Sequence, residues 1–253
     1  MIAKKVAIVT GGSSGIGRAT CINLAKEEFH VVVVGTNPER VQQTLNLLEK
    51  QTLSQLNPPY IGLTLDVSQE PDMQEMANKT VEHFGRIDLL VASAGVGKRS
   101  GSKRFMPEPT ASLSLLEWNE IININLTGIF LSNRAVIPVM IAQGVGHIIN
   151  ICSSTTPRGL RGQPYAPAYC ASKFGVVGFT ESLAAEVSSY GIRVQALFPG
   201  YVNTPMVSET ALLQRYGGSM SADDVAATVV YLAKQPTEAI VVHPHLIPFT
   251  SIK

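Results

Sequence analysis

The sequence predicts a single α/β domain: a doubly wound parallel sheet of about seven strands with helices on both faces. Three observations predict it. Short β-branched runs alternate with longer helical patterns along the whole chain. The short runs are continuously apolar, as strands covered on both faces are. The first strand-to-helix junction is rich in glycine. At 253 residues, the length suits one such domain spanning 1–253. Hydrophobic residues make up 45% of the chain and charged residues 15%, which is enough apolar material for a core and too much for a disordered chain.

Taken in order, the predicted strands are 5–9, 31–34, 61–65, 88–92, 147–151, 193–198 and 240–246. Val31-Val32-Val33-Val34 is the clearest of them, four β-branched residues in a row. The helical patterns fall between them at 14–28, 38–52, 71–84, 115–143, 169–189 and 222–233. Two of these open on a proline, Pro38 and Pro71, a residue tolerated in the first helical turn. The last strand contains Pro244, which places it at a sheet edge. In a fold of this kind ligands sit beyond the carboxyl ends of the strands, so the residues just after each strand are the candidates for function.

Composition excludes several classes. Twenty Lys and Arg against 19 Asp and Glu leave a net charge of +1, which is no footprint for nucleic acid or an anionic membrane. The one basic loop, 97–104, reads as exposed surface, with an interaction module as the alternative. No apolar run approaches the ~20 residues that cross a bilayer, and no signal peptide is expected at the start. Three scattered cysteines, Cys21, Cys152 and Cys170, form no disulfide framework or zinc spacing, so a reducing cytoplasm is expected. His243 and His245 alternate onto one face without a third ligand, so no metal is expected.

The first junction reads Thr10-Gly11-Gly12-Ser13-Ser14-Gly15-Ile16-Gly17. Glycines there permit a tight turn and let backbone N–H groups approach a pyrophosphate, with the positive end of the next helix aimed at it. The plainer alternative is a turn followed by a serine N-cap. The spacing Thr-Gly-x-x-x-Gly-Ile-Gly resembles the short-chain dehydrogenase/reductase family, in its branch of ~250-residue oxidoreductases with a Rossmann-type sheet. At the end of the second strand, an acidic residue would hold ribose hydroxyls and repel a 2′-phosphate. Gly35 stands there instead, followed by Thr36, Asn37 and Arg40. NADP is therefore favoured over NAD, with Asn37 and Arg40 within reach of the phosphate.

The strongest signal is Tyr169-Cys170-Ala171-Ser172-Lys173. Residues four apart share a helix face. A phenol with a pKa near 10 is a poor proton donor and acceptor at neutral pH; a cation ~4–6 Å away lowers it by about 1–3 units. Tyr169 is thus the expected general acid/base and Lys173 its cation. The resemblance supplies the remaining roles. It implies that Ser153, at the end of the fifth strand, donates to the substrate oxygen, with Ser154 the alternative because the 16 residues to Tyr169 exceed the family's usual separation. It implies that Asn125 holds a water beside Lys173. Asp66 and Val67 would hold adenine, although Asp66 also reads as a turn residue. Ala94 and Gly95 would pass close to the cofactor, replacing part of the family's Asn-Asn-Ala-Gly. Pro199, Gly200, Val202 and Thr204 would form the nicotinamide loop. With Gly11, Ser13, Ser14, Gly15, Ile16 and Gly17, these complete the expected cofactor site.

The function implied is hydride transfer between NADP and a carbonyl or secondary alcohol, with a silent nucleotide-binding sensor as the alternative. A small-molecule substrate, a lid at 205–220 and a homodimer or homotetramer are also expected.

Overall fold

The computed structural model describes residues 4–50, 59–98, 109–154, 161–206 and 219–249. The strands are β1 (Val6–Thr10), β2 (His30–Gly35), β3 (Tyr60–Thr64), β4 (Leu89–Ala92), β5 (Gly146–Ile151), β6 (Ile192–Pro199) and β7 (His245–Leu246). They form one parallel sheet in the order β3-β2-β1-β4-β5-β6-β7. The order reverses between β1 and β4, and the crevice beyond their carboxyl ends is the place where such sheets bind ligands.

The helices are α1 (Gly15–Lys26), α2 (Pro38–Glu49), α3 (Glu70–Phe84), α4 (Leu115–Ile122), α5 (Gly128–Gln143), α6 (Pro167–Val187) and α7 (Ala222–Ala233). Each face of the sheet carries its own core. On one face Cys21 and Leu24 of α1, Val41 and Leu48 of α2, and Val225 and Val229 of α7 cover Val31, Val33 and Ile149. On the other, Met73 and Met76 of α3, Val136 and Met140 of α5, and Val176 and Leu183 of α6 cover Ile8, Val32 and Ile148. Full burial of such side chains stabilises by ~1.5–3 kcal/mol each, and this is why the strands read as unbroken apolar runs.

Three expectations need correction. The helix predicted over 115–143 contains a turn of π-helix at Asn123–Thr127, between α4 and α5. The whole stretch, Leu115–Gln143, is also long and apolar enough to cross a bilayer; its apolarity is spent on the sheet, where Ile129, Leu131, Val136 and Met140 are buried. The strand predicted over 240–246 pairs with β6 only at His245 and Leu246. His243 takes a left-handed φ of +51° there, and its Nε2 lies 3.0 Å from Glu181 of α6, so the chain stands off the sheet until Pro244. The surviving strand is at the edge, as Pro244 indicated. Most of the lid expected at 205–220, most of the loop at 97–104 and the segment 155–160 lie outside the described residues.

A buried polar network joins three elements on the α5–α6 face. Asn150 of β5 exchanges amide hydrogen bonds with Asn133 of α5 (2.9 and 3.2 Å) and donates to Thr180 of α6 at 3.0 Å. Asn133 also donates to the Ile129 carbonyl at 2.8 Å. Each amide is buried and satisfied, and this fixes α5 and α6 relative to the strand that ends in the candidate catalytic serine.

Candidate active site

β1 ends at Thr10, and the turn that follows depends on its glycines. Gly11 has φ +67°, and a Cβ there would stand 2.9 Å from the Ala94 backbone. A Cβ on Gly17 would stand 2.2 Å from the Gly11 carbonyl oxygen. The turn, the loop after β4 and the start of α1 therefore touch through bare backbone. Thr10 fastens the same junction, its hydroxyl accepting from the amides of Ser93 (3.2 Å) and Ala94 (3.4 Å). Ser14 is the N-cap of α1, yet its side chain caps nothing and the first turn carries no acidic residue. Uncapped amides at the positive end of α1 fit an anionic diphosphate. Ile16 is half-buried at the start of α1, packed on the core. Thr204 lies over the turn, its Cγ2 3.3 Å from where a Gly15 Cβ would be.

Gly35 is required by Ser13. A Cβ on Gly35 would stand 2.6 Å from the Ser13 hydroxyl oxygen, so Ser13 fills the space where a side chain at the end of β2 would project. Arg18 holds Ser13 from the far side: Nη2 donates to its carbonyl at 2.5 Å, and Nε to Thr44 of α2 at 3.1 Å. Sequence reasoning missed Arg18 and Thr44; no spacing rule links positions 18 and 44. Thr36 and Arg40 are exposed at this corner. The side chain of Asn37 is already engaged as the α2 N-cap, accepting from the Arg40 amide at 2.8 Å. Asp66 is half-buried, and its Oδ1 accepts from both the amide and the hydroxyl of Ser68 at 2.9 Å, which is the turn role. The Val67 side chain is buried against Gly128, so only its backbone faces outward chemistry.

The candidate reacting groups converge where β5 meets α6. The Ser153 side chain hydrogen-bonds the Tyr169 hydroxyl. Ser154 turns the other way, buried, its hydroxyl donating to the Phe198 carbonyl at 3.0 Å. Of the two serines, only Ser153 faces Tyr169. Burial pushes the Tyr169 hydroxyl up to about 12, the bond from Ser153 pulls it down, and the nearby thiols of Cys152 and Cys170 push it up further. This corrects the expectation that Lys173 would bring Tyr169 towards neutrality. The buried Lys173 ammonium donates to the Ile151 carbonyl at 2.9 Å and sits 5.8 Å from the centre of the Tyr169 ring. Burial lowers its own pKa, partly offset by Cys152.

Asn125 lies on the π-helical turn, a form often found at functional sites. Its Oδ1 accepts from the Val96 amide at 2.7 Å, and its Nδ2 donates to the Val96 carbonyl at 2.9 Å and to Ser172 at 3.3 Å. Gly95 completes the group: a Cβ there would lie 3.2 Å from Asn125 Oδ1 and 4.0 Å from Lys173 Nζ. Across the cleft, the amide of Gly200 donates to the Leu246 carbonyl at 2.7 Å and the Pro199 carbonyl accepts from Ser154 at 2.7 Å. The Val202 side chain is in the core, and its backbone forms a β-bridge with Met220. The mouth of the cleft is lined by Gly97, Leu113, Glu117, Tyr165 and Tyr169. Tyr165 has φ +63°, a strained value for a tyrosine and one that recurs at functional sites. A roomier cavity of about 380 Å³ lies elsewhere, between β6, α6 and residues 237–243; it holds none of these groups. Among the described residues, no three His, Cys, Asp or Glu converge as metal ligands.

The family model for short chain dehydrogenases matches residues 5–213. This chain belongs to the short-chain dehydrogenase family. It is an NAD(P)-dependent oxidoreductase. Among its relatives, the 3-oxoacyl-[acyl-carrier-protein] reductase FabG of Thermotoga maritima is 33% identical over 247 residues, covering 93% of each chain. The crystal structure of a 3-ketoacyl-(acyl-carrier-protein) reductase from Brucella melitensis complexed with NADH superposes with a TM-score of 0.84. It has 25% identity, and 98% of each chain is covered. The actinorhodin polyketide ketoreductase with NADPH gives a TM-score of 0.83 at 30% identity, covering 98% of this chain and 97% of that one.

Proposed function

We propose that this enzyme reduces a ketone to a secondary alcohol, with NADP favoured over NAD and Tyr169 delivering the proton. The observation that carries the reading is the Ser153–Tyr169 hydrogen bond at the end of β5. A substrate oxygen placed between those two hydroxyls receives two hydrogen bonds, which polarise the carbonyl and stabilise the alkoxide that develops. The Tyr169 hydroxyl is protonated at neutral pH, as a general acid must be, and burial makes it a weaker acid than a free phenol, so Ser153 and the Lys173 charge are the groups that offset that penalty. The reverse, alcohol oxidation, would use the same groups with the proton moving onto Tyr169.

When bound, the nicotinamide supplies or takes the hydride. Everything else falls to the chain. The α1 amides and the glycine turn hold the diphosphate, and Asp66, Val67, Ala94 and Gly95 flank the adenosine side. Pro199, Gly200, Val202 and Thr204 form the loop facing the nicotinamide. Lys173 holds a positive charge beneath Tyr169. Asn125 holds Val96, and through it the loop after β4, against Lys173. At the 2′ corner, Ser13 leaves no space for an acidic side chain at Gly35, and Thr36, Asn37 and Arg40 provide a neutral-to-positive surface. That arrangement supports NADP.

The two 3-oxoacyl reductase relatives and the polyketide ketoreductase make β-keto thioesters and polyketide ketones the first substrates to test. The helices α4 to α6 expose Leu115, Leu116, Phe130, Ile141 and Phe174, which supports a homodimer or homotetramer. Three buried free thiols accord with a cytoplasmic setting. The test is coenzyme consumption with a panel of ketones, aldehydes and β-keto thioesters, followed with NADPH and with NADH. Turnover with at least one ketone and a higher kcat/KM for NADPH is expected. Equal or greater efficiency with NADH would overturn the coenzyme assignment. Nucleotide binding without turnover of any ketone would overturn the substrate assignment.

A further inference from the structure

The C-terminal strand reaches the catalytic strand through one side chain. His245, in β7, lies with Nδ1 2.6 Å from the hydroxyl oxygen of Ser154. The same hydroxyl donates to the Phe198 carbonyl at 3.0 Å. A hydroxyl has one hydrogen to give, so the ring must donate from Nδ1 while Ser154 receives. The imidazole is fixed from a second direction by stacking on Phe198, with centroids 4.5 Å apart and planes 20° apart. The backbone around it is fixed too: the Phe198 amide donates to the Pro244 carbonyl at 2.9 Å, and the Gly200 amide to the Leu246 carbonyl at 2.7 Å.

Ser154 is the next residue after Ser153. Its amide donates to the Pro199 carbonyl at 2.7 Å, and its side chain is buried. With Ser154 held at both amide and hydroxyl, the peptide joining the two serines has little freedom. The direction of the Ser153 hydroxyl, which meets Tyr169, is set by that peptide. Phe198 lies near the end of β6 and Gly200 in the loop assigned to the nicotinamide, so the β7 contact also braces the strand that leads into that loop.

We propose that His245 is a positioning residue, holding Ser153 in its catalytic orientation through the His245–Ser154–Phe198 hydrogen-bond chain. This rests on the reading of Ser153 and Tyr169 as the reacting pair. It gives the short strand at the sheet edge a function. Two paired residues add little sheet, but they deliver one imidazole to the back of the active site.

The test uses His245→Phe, which keeps a ring to stack on Phe198 and removes Nδ1, and His245→Asn, whose Nδ2 can stand in for Nδ1. Ser154→Ala and the His245→Phe/Ser154→Ala double variant complete a cycle, and Ser153→Ala is the control for the underlying reading. The readouts are kcat and KM for a ketone, the dissociation constant for NADPH, and Tm. His245→Phe is expected to lower kcat about tenfold, with NADPH affinity and KM within about twofold of wild type. His245→Asn should recover most of kcat. The double variant should match Ser154→Ala alone, since both changes break one chain. Wild-type kcat in His245→Phe overturns the proposal. So do additive losses in the double variant, or a kcat loss that follows Tm and is not recovered by Asn. If Ser153→Ala itself leaves kcat unchanged, the reading of the reacting pair fails first, separately from the role of His245.

Discussion

Gly17→Ala is the sharpest probe of the nucleotide cradle. The added methyl would stand 2.2 Å from the Gly11 carbonyl oxygen, 2.6 Å from its carbon and 3.0 Å from the Gly12 amide nitrogen. All three atoms are backbone, so no side chain can swing aside. Ordinary contact needs more than 3 Å, so Gly11 or α1 must shift by about 1 Å. Gly11 cannot yield freely: on its other side the Ala94 backbone is 2.9 Å from where its own Cβ would be. Over-packing of this kind costs about 1–3 kcal/mol, and each 1.4 kcal/mol is tenfold in affinity. NADPH binding should weaken by about 10- to 100-fold, and Tm should fall by only a few degrees because the clash lies at the edge of the core. Titrating NADPH fluorescence alongside thermal unfolding measures both. Binding within twofold of wild type would refute the argument that α1 meets the diphosphate through bare backbone.

Gly35→Asp should displace Ser13 and put a carboxylate at the 2′ corner, lowering the NADPH-to-NADH ratio of kcat/KM by about 10- to 100-fold; an unchanged ratio would place the 2′-phosphate elsewhere. His147 is buried, and desolvation, with Arg193 and Lys5 adding to it, pushes its imidazole down to about 3. The unfolded chain binds that proton near 6.5. Stability is therefore full above pH 6.5 and falls as pH drops towards 3, by about 2 kcal/mol at about pH 5. Urea unfolding at two pH values measures the slope, and His147→Met should flatten it; equal slopes in the two proteins would contradict the assignment.

Much of this site was legible because its signals are local. The Gly11–Gly17 turn and the Tyr169–Lys173 pair each need only one turn of backbone to bring their groups together, and continuous apolar runs alternating with helical patterns indicated the layered sheet. Contacts between elements were not legible. The resemblance chose Ser153 and left Ser154 as the alternative; the direction of each side chain, Ser153 towards Tyr169 and Ser154 onto the Phe198 carbonyl, is a contact between elements that no spacing encodes. Asn125 reads as an awkward residue in a helix, and its bonds to Val96, 29 positions away, account for its presence. The Asn133–Asn150–Thr180 network joins three elements with no shared spacing. The strand expected at 240–246 failed because Ile240, Val241 and Val242 carry a strong strand preference, but the His243–Glu181 contact and the left-handed His243 hold that segment off β6. The expected lowering of the Tyr169 pKa failed because helical spacing brings Lys173 near but says nothing of burial, which dominates here.

The most direct test of the account is Tyr169→Phe, assayed for ketone-dependent NADPH consumption and, separately, for NADPH affinity. Turnover should fall by about 10²–10⁴-fold, the range of a positioned general acid, with NADPH affinity within about threefold of wild type. Turnover within tenfold of wild type would contradict it, because the proton would then reach the substrate by another route.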